Sequence, residues 1–347
     1  MPPLPIGPTA LPRLITYYQT LHDGDDKPIS ILPLITQPDI AVTHVIVAAI
    51  HINEDPGSLT LNDHSPDHAR HQTAWAELRL LQAAGIRVMA LLGGAAQGTY
   101  QRLDGSPDDG PAELARFERY YAPLRDLVRA RGLDGLDLDV EEEMSLAGIV
   151  RLIDRLRADF GPAFLITLAP VAASLLDPTA NLSGFDYEAL EVLRGRDIAW
   201  YNTQFYCGWG DFSSTLMYDM MLRKGWAPHK LVVGLVTNPA NGRGWVEWDS
   251  LQQTLGMLRQ RPHDFGGVMG WEYYNSLPGD RERPWEWART MTAMIRAHCL
   301  APAPAVDISQ RPDPKQPDIA HADPDAPGGK EPEVPAPFEY YTDDAEE

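Results

Sequence analysis

Short runs of apolar, β-branched or aromatic residues alternate with longer amphipathic stretches along most of the chain. The runs are Leu14–Gln19 (LITYYQ), Thr43–His51 (THVIVAAIH), Ile86–Leu92 (IRVMALL), Gly135–Glu141 (GLDLDVE), Phe164–Ala169 (FLITLA), Ile198–Tyr206 (IAWYNTQFY), Leu231–Thr237 (LVVGLVT) and Gly267–Tyr273 (GVMGWEY). They read as strands, and Ala74–Ala84 and Ser145–Asp159, with apolar residues at helical spacing, read as helices between them. Gly85, Gly161 with Pro162, and Pro228 punctuate the joins.

Eight strands alternating with helices over about 285 residues predict an α/β chain, a single (β/α)8 TIM barrel. A doubly wound open sheet gives the same alternation but needs a Gly-rich phosphate turn, and Gly93-Gly94 after the third run is no GxGxxG. About thirty residues separate the seventh and eighth strands. They leave room for a helix and loops and not for an inserted α+β domain. The expected division is an N-terminal extension over 1–13, the barrel over 14–300 and a tail over 301–347.

Composition changes this picture at the tail and in the choice of partners. From Ala301 onward the chain carries twelve acids, three bases and ten of its thirty-one prolines. Such a segment is expected to be disordered, because it has too little apolar surface to offset the entropy of ordering. The residues before it hold 37 acids against 26 bases, within a whole-chain net charge of −20. That acidity argues against nucleic acid and against an anionic membrane surface, and tolerates a neutral partner such as a sugar. The two cysteines, Cys207 and Cys299, are too few for a disulfide framework. No apolar run of signal-peptide length lies in the first residues, which predicts a cytoplasmic protein, or one exported by an unconventional route. We expect a monomer.

The segment from Asp134 to Glu141 carries the chemistry. Side chains alternate along a strand, so Asp137, Asp139 and Glu141 share one face while Leu136, Leu138 and Val140 share the other. Packed aliphatic-side-out in a barrel, the strand would point three acids inward. Crowded, desolvated carboxylates cannot all ionise, and a carboxyl kept protonated near neutral pH is what general acid catalysis requires. A divalent-metal site and an acidic edge strand with a structural role remain open on spacing alone.

Asp134-Gly135-Leu136-Asp137-Leu138-Asp139-Val140-Glu141 matches DGxDxDxE in full, and in this the chain resembles glycoside hydrolase family 18, the chitinases and endo-β-N-acetylglucosaminidases. Leu91-Leu92-Gly93-Gly94 stands where that family has SxGG after strand three, with Leu91 in place of the Ser. Gln204-Phe205-Tyr206 and Gly267-Val268-Met269-Gly270-Trp271 resemble its strand-six and strand-eight motifs. The likeness runs over roughly residues 14 to 298 and implies a retaining, substrate-assisted hydrolase without a cofactor.

By that resemblance Glu141 protonates the glycosidic oxygen, and the substrate's own 2-acetamido carbonyl attacks C1. Asp139 orients the acetamido N–H, with Asp137 beneath it, and Tyr206 donates to the acetamido oxygen. Trp271 floors the reacting sugar, and Gln204 and Tyr17 line the pocket. The implied substrate is chitin or another β-1,4-linked N-acetylglucosamine glycan. The alternatives are the chitobiose core of N-glycans and a non-catalytic sugar-binding protein on the same barrel. The Leu91 departure implies altered hydrogen bonding around Asp137. His64, His68 and His71 have metal-like spacing but read as solvated loop histidines, and Cys207 as a quiet thiol. Glu142 is expected to point away from the pocket. Trp209, Trp245 and Trp248, expected in loops after strands six and seven, are possible sugar platforms.

Overall fold

The computed structural model describes residues 11–106, 108–261 and 264–300. The expected tail, and all but the last residues of the N-terminal extension, lie outside the described residues.

Nine strands form: β1 Arg13–Tyr18, β2 His44–Ile52, β3 Leu59–Leu61, β4 Arg87–Gly93, β5 Gly135–Asp139, β6 Leu165–Leu168, β7 Trp200–Gln204, β8 Leu231–Val236 and β9 Gly267–Trp271. Eight of them pair in parallel in the order β1-β2-β4-β5-β6-β7-β8-β9, and β9 returns to β1, so the sheet closes into a barrel. The short β3 adds antiparallel to the end of β2 and was not anticipated; at three residues it is too brief for a period-two pattern. Strands buried on both faces need apolar residues on both, which is why the runs look continuous rather than alternating.

The helices predicted by spacing form at Gln72–Ala83 and Leu146–Phe160. The second starts where the Ser145 side chain accepts from the Gly148 amide at 3.0 Å. Between β8 and β9 the described residues hold a single turn, Pro239–Asn241, and the helix Trp248–Arg259, with no inserted domain.

Two apolar clusters result. Leu136, Leu138, Leu152 and Ile153 belong to the layer that joins strands to helices. A separate cluster that includes Ile15, Tyr17, Ile46, Met89, Leu91, Trp200, Val232 and Met269 fills the barrel. Towards the N-terminal ends of the strands Trp200 is sandwiched, with the Arg13 guanidinium 4.3 Å above its ring and the His44 ring 4.8 Å away. The barrel is thus plugged at that end, and polar chemistry is confined to the opposite mouth. There Gly93 sits at φ +91°, where an added Cβ would come 2.4 Å from the Tyr100 ring and 2.6 Å from the Asp139 carbonyl. Only glycine lets β4 pass this close to β5.

Candidate active site

β5 carries Asp137 and Asp139 inward, and Glu141 follows two residues past its end, at the mouth. The expected strand therefore ends earlier than Glu141, but the alternation of faces carries on through it. Asp137 lies deepest, fully buried. Its Oδ2 accepts from the Tyr17 hydroxyl at 2.6 Å, and its Oδ1 from Thr167 Oγ1 at 2.6 Å and Asn202 Nδ2 at 3.0 Å. Burial pushes this carboxyl up from its ordinary pKa, and the three donors pull it back.

Asp139 has no such set of donors. Gln204 Nε2 reaches its Oδ1 at 3.2 Å, and the same nitrogen reaches Glu141 Oε1 at 3.3 Å and the Ala169 carbonyl at 2.9 Å. One amide nitrogen has two protons for these three acceptors, so none is held at full strength. Burial, then the charges of Glu141 and Asp137, push Asp139 well above the usual carboxylate range. Glu141 is partly open to solvent and is also raised, by burial, against the hydrogen bond from Gln204. The charge of Glu141 opposes the ionisation of Asp139, so the two carboxyls form a pair that shares its protons. It holds a proton at pH values where an isolated carboxyl would have lost it.

Two tyrosines and a tryptophan complete the mouth. Tyr206 is buried, and burial followed by the charges of Asp139 and Glu141 holds its hydroxyl well above the ordinary tyrosine pKa, so it stays a donor. Tyr17 is held protonated in the same way, by burial and then by Asp137. Its ring meets the partly exposed Trp271 edge-on, with centroids 5.4 Å apart and planes at 60°. Asp137, Tyr17 and Trp271 thus form one line from the barrel interior to its opening.

The structure brings Asp137, Asp139, Glu141, Gln204, Tyr206, Tyr17 and Trp271 together at this mouth, and two of their neighbours were missed. Thr167 and Asn202 hold Asp137, and the signal was present: Thr167 is polar in an apolar strand, and Asn202 lies one period before Gln204. Leu91 pairs in register with Asp137 and buries its side chain in the interior cluster, offering no donor; Tyr17, Thr167 and Asn202 supply the hydrogen bonds instead.

Other expectations need adjusting. Glu142 is buried and accepts from the Gly98 and Tyr100 amides at 2.7 Å each, tying down the start of the short helix Thr99–Leu103. His68 is exposed, but His71 is buried against the helix it precedes, with its ring 6.2 Å from that of His64. Among the described residues no group of three or more His, Cys, Asp or Glu side chains is disposed to hold a metal ion. Burial raises the Cys207 thiol, as a quiet cysteine requires. Trp248 opens a helix and packs on the outer core, so it is no loop platform, whereas Trp245 packs at the edge of the interior cluster.

The glycosyl hydrolases family 18 model matches residues 13–292. A curated relative, Chitinase 2 of Rhizopus oligosporus, is 27% identical over 209 residues, which are 57% of this chain and 36% of that protein. The chain thus spans little more than a third of that relative's length. A fungal endo-β-N-acetylglucosaminidase of family 18 has a solved structure that is 52% identical, with a TM-score of 0.78 over 83% of this chain and 99% of that one. A chitinase from Aspergillus fumigatus is also 52% identical, with a TM-score of 0.73 over 81% and 98%. With this match over most of its length, the chain belongs to the glycosyl hydrolases of family 18.

Proposed function

We propose that the protein hydrolyses β-1,4 bonds of N-acetylglucosamine polymers and oligomers, chitin first, with retention of configuration and with the substrate's 2-acetamido group as the nucleophile. The observation that carries this reading is the single Gln204 amide spanning Asp139 Oδ1 and Glu141 Oε1, two carboxyls that burial keeps above their ordinary pKa. Since Oε1 of Glu141 accepts from Gln204, its proton belongs on the other oxygen, which gives it to the glycosidic oxygen.

No second carboxylate is needed as nucleophile. The acetamido carbonyl closes on C1 to give an oxazolinium ion; with the proton of the pair on Glu141 from the start, Asp139 is the carboxylate that accepts the acetamido N–H and offsets the new positive charge. Tyr206 donates to the acetamido oxygen and holds it in line. Glu141, now a carboxylate, takes a proton from water as that water opens the ring from the same face. Asp137 stays behind, fixed by its three donors, and biases Asp139 through charge.

A second reading is cleavage of the chitobiose core of N-glycans. It is favoured by the similarity to the family 18 endo-β-N-acetylglucosaminidase, and it uses the same residues in the same roles. Incubating the pure protein with chitin oligomers and with a high-mannose glycoprotein separates the two. NMR of the first product formed tests the mechanism. A β-anomer is expected; an α-anomer, or no product from either substrate, overturns the reading.

A further inference from the structure

The loop after β8 touches the site in two places. At its start Asn241 Nδ2 donates to the Trp271 carbonyl at 3.1 Å, to Thr237 Oγ1 at 3.1 Å and to Asn275 Oδ1 at 2.9 Å. Asn275, itself buried, returns a hydrogen bond from Nδ2 to Asn241 Oδ1 at 2.7 Å. The two amides form a reciprocal pair, and its outer edge grips the backbone of Trp271. Asn238 closes the turn: its Nδ2 donates to the Asn275 carbonyl at 2.8 Å and its Oδ1 accepts from the Ala240 amide at 2.9 Å.

Two residues on, the same loop lies against Tyr206. The Cys207 amide donates to the Arg243 carbonyl at 2.8 Å. Gly242 has φ +144°, and a Cβ there would come 2.7 Å from Cys207 Sγ. Gly244 has φ +98°, and its Cβ would come 3.1 Å from the Tyr206 Cα. Both glycines hold backbone conformations that side chains resist, and a Cβ would clash at Gly242 and crowd Tyr206 at Gly244. The loop is therefore a strap with one end on Trp271 and the other on Tyr206. The reciprocal pair, anchored by the buried Asn275, holds Asn241 from both its oxygen and its nitrogen, so such a strap transmits position.

We propose that Asn241 is a positioning residue for hydrolysis: through the Trp271 carbonyl it fixes where the indole stands relative to Tyr206. A sugar resting on the indole then presents its acetamido oxygen to the tyrosine hydroxyl in line with C1. The proposal rests on the reading of Trp271 and Tyr206 given above. Misplacing a reacting group by about 1 Å can cost about 10²-fold in rate. The Trp271 carbonyl keeps the Thr237 amide as a donor at 2.8 Å when Asn241 is removed, so the strand end survives while its aim loosens.

The test is a double-mutant cycle, with kcat and KM measured on chitopentaose and on a high-mannose glycopeptide, whichever the wild-type enzyme cleaves faster. Asn241→Ala should lower kcat by about 10- to 100-fold with the shape of the pH profile unchanged. In a Trp271→Ala background the same change should cost less than about twofold. Equal losses in both backgrounds, or no loss in the wild-type background while Trp271→Ala is crippled, overturn the proposal alone. A fully active Trp271→Ala overturns the reading of the site and the proposal with it. Should Asn241→Ala fail to fold, Asn275→Ala leaves the Asn241 donor in place but unanchored. Its smaller loss should also vanish in the Trp271→Ala background, and an additive loss there overturns the proposal.

Discussion

Thr167 Oγ1 donates to Asp137 Oδ1 at 2.6 Å, between two residues that the parallel pairing of β5 and β6 sets directly side by side. The deepest acid of the ladder is therefore held by its neighbouring strand. Thr167→Val keeps the shape and removes the donor, leaving a buried carboxyl oxygen with Asn202 alone. We expect a loss of about 1–3 kcal/mol in stability, read from urea unfolding, with Thr167→Ser recovering most of it. A Thr167→Val protein as stable as wild type would show that the contact contributes nothing.

The proton-donor role proposed for Glu141 is tested by Glu141→Gln. The amide fills the same volume but has no proton to give, so kcat should fall by about 10²–10⁴-fold while unfolding is nearly unchanged. Wild-type activity itself should fade as pH rises past the raised pKa of Glu141, because deprotonation removes the acid. An activity that climbs steadily through that range would assign the proton to another group.

The charge state of the ladder also sets a stability–pH relation. Burial, then the charges of Glu141 and Asp137, raise the carboxyl of Asp139 in the folded protein well above the ordinary carboxylate pKa of about 4. Its contribution to stability is fully present below that value and is lost as pH rises through the folded pKa. Asp139→Asn has no charge to desolvate, and its amide oxygen can still accept from Gln204. At pH 7 the variant should gain about 0.5–2 kcal/mol over wild type, the gain shrinking as pH falls through the folded pKa and vanishing below about 4, while hydrolysis collapses. Denaturant unfolding at pH 4 and pH 7 checks this, and a variant that is less stable than wild type at pH 7 would contradict it.

The sequence disclosed the barrel and the ladder for the same reason. Strands buried on both faces write apolar runs, and an acid every second residue in such a run has no place to go but inward. Tyr206 and Trp271 came from the resemblance of their strands to family 18 motifs, and Gln204 from the two-residue period that sets it on the face of Tyr206. Thr167 and Asn202 were harder, since one polar residue in a strand looks like tolerated variation until its partner is known. The partners of Glu142 were not legible, because sequence gives no sign that a carboxylate past a strand end will find the amides of Gly98 and Tyr100, 42 to 44 residues away along the chain. His71 was misjudged for a similar cause: a polar flanking sequence says nothing of the helix that buries it.

The shape of the groove follows from what β8 and β9 leave between them. Only a turn and one helix occupy that interval among the described residues, so no extra domain walls the cleft there. A polymer lying across the mouth would be held chiefly at Trp271 and Tyr206, with Trp245 beside them at the edge of the interior cluster. Fewer contacts mean faster dissociation, and an enzyme that lets go between cuts does not slide. We therefore expect non-processive, endo-type cleavage. On a soluble polymer the viscosity should drop early, with products of broadly spread length; steady release of disaccharide at high viscosity would refute the open groove. Trp271→Ala should act on both binding and rate. An aromatic contact of about 0.5–1.5 kcal/mol corresponds to about a 2- to 10-fold loss of affinity. A further loss in kcat is expected because, in the proposed mechanism, the same ring aims the acetamido group. A variant that raised KM and left kcat untouched would make Trp271 a holder of substrate without a part in its alignment.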